Sequence, residues 1–209
     1  MNVQRLIPLF IAALVVYFSF QFHWLLGLVV IVALIGYAAW SNRANLLVSK
    51  AQEAGARGDL KTAVKLLEEA VRLNRKQPAT MASYAYMLLK DGQIDKADEA
   101  IKTVRQMPGA DKLELNVTIT EGLIRWKQGR LNDAIAMLEE LQGKMQNTML
   151  YGSLGYLYLE QGDLDKALAY NLEAYEYNDS DNVILDNLVA TRILRGEWEE
   201  ARKLADVLM

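Results

Sequence analysis

Hydrophobic positions fall into two regimes along this 209-residue chain. From Leu6 to Trp40 almost every residue is apolar, broken by Gln21 and His23. Beyond about residue 43 the apolar residues recur every three or four places, the period of a helix that buries one stripe. Leu60, Ala63, Val64, Leu67, Ala70, Val71 and Leu73 follow that spacing, while Lys61, Lys65, Glu68, Glu69 and Arg72 take the other face. The pattern predicts an all-α protein with an apolar leader and an amphipathic helical body.

The leader is too long for one ordinary span. As a single helix its 35 residues would measure about 52 Å, against a hydrocarbon core of about 30 Å. Splitting it at Phe20–His23 gives helices over 6–20 and 24–40, roughly 22 and 26 Å long, which predicts a transmembrane helical hairpin. Tyr17, Phe18, Phe20, Phe22 and Trp24 crowd the turn, and Tyr37 and Trp40 mark the exit, as in interfacial aromatic belts. His23 is read as an interfacial turn residue. Arg5 precedes the first span, Arg43, Lys50 and Arg57 follow the second, and the turn has no Lys or Arg. The positive-inside tendency then places both ends in the cytoplasm. Residues 1–42 are thus expected to be an integral membrane anchor that meets lipid through residues 6–40. Two other readings stay open: a signal peptide cleaved near Gly36-Tyr37-Ala38, and a single span followed by an exported domain.

The body repeats itself. Gly58-Asp-Leu-Lys-Thr-Ala63, Gly92-Gln-Ile-Asp-Lys-Ala97, Gly129-Arg-Leu-Asn-Asp-Ala134, Gly162-Asp-Leu-Asp-Lys-Ala167 and Gly196-Glu-Trp-Glu-Glu-Ala201 share one pattern, their glycines 34, 37, 33 and 34 residues apart. Each Gly is suited to close a helix in the left-handed cap conformation. The large residue two places on (Leu60, Ile94, Leu131, Leu164, Trp198) should pack back into the pair. The Ala lets a second helix approach the first, where Ala51, Ala85, Gly122, Gly155 and the larger Val189 stand seven places before the Gly. Such a unit is a helical hairpin.

This 34-residue framework resembles the tetratricopeptide repeat, over about residues 44–209. The resemblance implies a right-handed α-solenoid of about five repeats, at about 44–77, 78–112, 115–147, 148–181 and 182–209, within a domain of residues 43–209. An extra three residues near Met107-Pro-Gly-Ala110 should lengthen one turn. In the family the first helix of each repeat lines a groove that binds a protein or peptide. Transferred to this chain, the groove places are Gln52, Ala56, Tyr86, Leu89, Lys90, Asn116, Ile119, Leu123, Trp126 and Lys127, then Met149, Gly152, Tyr156, Leu159, Glu160, Asp186, Ala190 and Ile193. The strongest candidates for partner contact are Gln52, Tyr86, Lys90, Asn116, Leu123, Trp126, Lys127, Tyr156, Glu160 and Asp186. Tyr86, Trp126 and Tyr156 are read equally well as packing between repeats. The family's carboxylate clamp is missing: its places hold Val48, Gln52, Ser83, Asn116 and Thr120, with no cation.

Charge and chemistry narrow the function further. Residues 41–209 hold 22 of the 23 Lys and Arg and all 26 acids, a mildly acidic balance with no footprint for nucleic acid. There is no cysteine, and His23 is the single histidine. Disulfides, thiolate catalysis and His-based metal or triad sites are therefore excluded. No cofactor or metal is expected, and no enzymatic activity. The reading is a membrane-anchored interaction scaffold; the alternative is an envelope-assembly or export factor with its repeats outside. The last repeat ends in Leu204, Val207, Leu208 and Met209 with no polar capping helix; two readings stay open, a short end that is simply tolerated, or a surface that docks on a partner or a second copy.

Overall fold

The computed structural model describes residues 7–208. Arg5, Leu6 and Met209, which entered the expectations above, lie outside them. Twelve α-helices follow one another: α1 (Ile7–Phe22), α2 (Trp24–Ser41), α3 (Arg43–Ala56), α4 (Leu60–Leu73), α5 (Pro78–Lys90), α6 (Ile94–Arg105), α7 (Glu114–Lys127), α8 (Leu131–Gln142), α9 (Thr148–Gln161), α10 (Leu164–Tyr177), α11 (Asn182–Leu194) and α12 (Trp198–Leu208). There is no strand among the described residues.

α1 and α2 fold back on one another. The turn is tighter than expected, because only His23 leaves the helical conformation. Its backbone is extended (φ −165°, ψ 133°) and its Nδ1 accepts the Leu25 N–H at 3.2 Å, so the histidine caps α2. Gly27 leaves the room: a Cβ there would lie 2.3 Å from the Phe20 ring. α2 passes into α3 through a single residue. Asn42 is the one residue between them (φ −95°, ψ 3°); its N–H reaches Ala38 O, and its own carbonyl accepts the Leu46 N–H at 3.1 Å. The two helices touch only around this joint, so α3 continues away from α2.

α3 to α12 form five antiparallel pairs closed by one recurring turn. Gly58, Gly92, Gly129, Gly162 and Gly196 all have φ between 77° and 86°. In each, the Gly N–H bonds three residues back and the next N–H five back, as in Gly162 to Leu159 O and Asp163 to Tyr158 O. That is the Schellman closure, which requires left-handed backbone. A Cβ at Gly162 would meet nothing within 4 Å, so Gly162→Ala should cost only the backbone strain, about 1–2 kcal/mol. Urea unfolding of the full chain should show this as a lower midpoint at unchanged slope. Ala63, Ala97, Ala134, Ala167 and Ala201 all lie buried at the helix crossings. The insertion between the second and third pairs forms a short 3-10 turn, Ala110–Leu113, entered through Gly109 at φ 83°.

The core is built pair against pair, and each second helix packs between its own first helix and the next one. Two apolar side chains depart from the expected pattern. Leu73, at the last turn of α4, is exposed, and Trp198 is 65% exposed. Leu60, Ile94, Leu131 and Leu164 are half-buried in the equivalent place because a further helix pair follows them. Among the described residues no helix pair packs beyond α12.

Candidate functional site

Successive first helices α5, α7, α9 and α11 also touch one another. That closer approach puts the first helices on the inner side of the curve, and their free faces form one continuous surface. Gln52 is exposed on α3. On α5, Tyr86 is 43% exposed and Lys90 holds its Nζ 6.0 Å from the Tyr86 ring centre. On α7, Asn116 and Lys127 are exposed, while Leu123 is half-buried against the two neighbouring cores. Trp126 is half-buried, with Lys127 Nζ 3.6 Å above its ring, a close cation–π pair. On α9, the Tyr156 ring meets the Trp126 ring edge-on at 5.1 Å, and Glu160 is exposed. Asp186 is exposed on α11.

The structure therefore brings Trp126, Lys127 and Tyr156 together across α7 and α9, and Tyr86 with Lys90 on α5. Trp126 and Tyr156 are half-buried against the second core cluster, whereas Tyr86 is exposed. Three of the wider set do not line this face. Leu89, Ile119 and Gly152 are buried, because their places turn toward the neighbouring helix instead of outward. Two exposed apolar side chains were missed, Val183 (65%) and Leu194 (62%). They hold the places thirteen and two before Gly196, so the repeat register applied to the last pair would have found them. With Met149 and Ile193 they make the α9–α11 end of the face apolar.

Tyrosine acidity follows this burial. Desolvation, helped by the Glu160 carboxylate, pushes Tyr156 from the usual 10 up to about 12. Burial raises Tyr84, Tyr151, Tyr158 and Tyr170 as well, and at Tyr158 the Glu139 carboxylate adds to it by accepting a hydrogen bond from the hydroxyl, O to O 2.5 Å. The folded state thus holds these protons more tightly than the unfolded chain, which ionises near pH 10. Stability is complete below pH 10 and falls as pH climbs from 10 toward 12. Melting temperature should drop steeply in that window, and Tyr156→Phe should shrink the drop.

Comparison with known proteins agrees with the geometry. Residues 119–182 match the tetratricopeptide repeat family. A TPR repeat-containing protein of Methanocaldococcus jannaschii is 24% identical over 147 residues, 70% of this chain; the chain spans 24% of that relative's length. Among solved structures, a thermophilic TPR protein of Thermus thermophilus superposes with a TM-score of 0.68 at 22% identity, covering 79% of this chain and 90% of that one. PilW, a type IV pilus biogenesis factor, gives 0.60 at 16% identity over 78% and 75% of the two chains. PilF of Pseudomonas aeruginosa gives 0.57 at 17% identity over 80% and 75%. At these identities the likeness shows a shared fold.

Proposed function

We propose that this tetratricopeptide-type solenoid is a bilayer-tethered scaffold that holds a protein or peptide partner along the face of its first helices. The observation that carries the reading is that continuous face. Lys90 and Lys127 stand beside the Tyr86, Trp126 and Tyr156 rings at one end, and Met149, Val183, Ile193 and Leu194 lie bare at the other. Gln52, Asn116, Leu123, Glu160 and Asp186 complete the contact set. Half-open aromatics set among cations are common anchors for a partner chain. They offer acidic and apolar side chains a place to sit.

Tethering rests on α1 and α2. α2 is long and apolar enough to cross a bilayer, and α1 holds the shorter apolar stretch Phe10–Gln21. Phe10, Ile11, Phe18, Trp24, Val29, Val32 and Ile35 are exposed, a surface that water would not tolerate on a stable soluble hairpin. Arg43, Lys50 and Arg57 follow α2 closely, which favours repeats on the cytoplasmic side. Two experiments test the proposal. A reporter fused after Met209 should be active only in the cytoplasm; activity outside would instead support the envelope-assembly reading. Photo-crosslinking in membranes should capture one defined protein with the native chain and lose it with folded Trp126→Ala and Tyr86→Ala chains. Equal capture by all three would end the groove assignment.

A further inference from the structure

The first helix pair carries a charge unlike the rest of the body. Residues 41–76 hold eight Lys and Arg against four acids, whereas residues 77–209 hold fourteen against twenty-two. The geometry of α2, α3 and α4 decides where that positive charge lies. α3 leaves the end of α2 without turning back, and α4 returns antiparallel after the Gly58 turn. Both have 14 residues, about 21 Å each. The end of α4 therefore comes back level with Asn42, beside the exit of the apolar helix.

What it brings there is the segment Arg72-Leu73-Asn74-Arg75-Lys76, all exposed, with Leu73 38% bare. The turn is held in shape from within. Asn74 Nδ2 donates to Gln77 Oε1 at 2.9 Å, and Gln77 N–H donates to Asn74 O at 3.3 Å, which sets Arg75 and Lys76 at the tip. Pro78 then starts α5. Across from the tip, Arg43 lies over the Trp40 ring, 4.9 Å from its centre. Among the described residues none of Arg43, Arg72, Arg75 and Lys76 belongs to an ion pair. Glu68 and Glu69, about one turn before the tip on α4, line one hollow together with Lys65, Arg72, Leu73 and Arg75, yet neither is ion-paired with the tip cations.

Four cations outside any ion pair around one exposed leucine, level with the end of an apolar helix, match the juxtamembrane pattern that attracts anionic lipid. We infer that the Arg72–Lys76 turn, together with Arg43, seats the first helix pair on anionic lipid headgroups, with Leu73 dipping into the interface. The net-negative remainder of the array is repelled by the same surface and stands clear of it. The inference rests on the membrane anchor proposed above and adds a second, charge-dependent attachment to it.

The absence of cysteine makes the test direct. A nitroxide on Leu73→Cys in the full chain reports exposure to a water-soluble nickel chelate. The chain is placed in vesicles of phosphatidylcholine alone or with about one third phosphatidylglycerol. Adding phosphatidylglycerol should remove most of the nickel accessibility at Leu73. Roughly 0.5 M salt, where the Debye length is about 4 Å, should restore it. So should Arg72→Gln, Arg75→Gln and Lys76→Gln combined. A nitroxide on Lys61→Cys, at the far end of α4, should respond to neither lipid. If the chain stays with the vesicles after an alkaline wash yet Leu73 is equally water-exposed in both lipids, the seating is wrong while the anchor stands. If the wash strips the chain from both lipids, the anchor itself fails and the seating with it.

Discussion

Leu138→Ala should lower stability by about 3–4 kcal/mol, in the middle of the range for a buried leucine. Leu138 is fully buried in α8, in the middle of the array. Its Cδ1 fills the place that a Cβ on Gly122 of α7 would occupy, 2.2 Å from the ideal position. That interlock supplies an internal control. Gly122→Ala alone crowds a flexible side chain and should cost about 1–2 kcal/mol. In Leu138→Ala the added methyl has vacant space to enter, so the double variant should be more stable than the sum of the single losses by about 1 kcal/mol. Chemical denaturation of the four chains measures the coupling, and strict additivity would show that α7 and α8 do not meet as described.

Gly155→Ala is the second large effect, and it should not be rescued so simply. A Cβ at Gly155 falls 2.4 Å from Cγ, Nδ2 and Oδ1 of Asn171, a planar group with no flexible end to swing away. Asn171 is fully buried and its amide is committed on both sides. Nδ2 donates to Ala167 O at 2.9 Å, and Oδ1 accepts from Asn187 Nδ2 at 3.2 Å, which also reaches Gly152 O at 3.1 Å. Displacing Asn171 strands buried polar groups in two repeats, at a cost of about 3–4 kcal/mol from overpacking and lost hydrogen bonds together. Amide hydrogen exchange should show protection lost in α9 to α12 while α3 to α6 keep theirs, because each repeat leans only on its neighbours.

The repeat architecture was legible because its signals are local and recur. Gly, large apolar and Ala each answer one demand of a short turn between helices, and all five turns form as the spacing implied. What escaped the reading depends on neighbours in space. Asn171 stands nine places after its Gly, where Leu67, Ile101 and Leu138 stand in the first three repeats and Ala205 in the fifth. Nothing in its own segment reveals that Asn187, in the following repeat, would satisfy it. Trp198 and Leu73 obey the apolar period yet stay exposed, since a period identifies a face but not whether anything covers it. On the candidate face, the register places Tyr86, Trp126, Lys127 and Tyr156 where the structure leaves them exposed or half-buried, whereas the burial of Leu89 and Ile119 follows from how closely the first helices approach.

The joint at Asn42 sets a phase relation between α2 and everything after it. The Asn42 N–H donates to Ala38 O and its carbonyl accepts from the Leu46 N–H, both of α-helical spacing, so the two helices are joined through one hydrogen-bonded residue. One residue inserted there would swing the repeats about 100° around the helix axis, and seven would return them to within about 20° of the starting azimuth, roughly 10 Å further out. Aim and reach are thus written into the number of residues near position 42, independently of which side chains the repeats display.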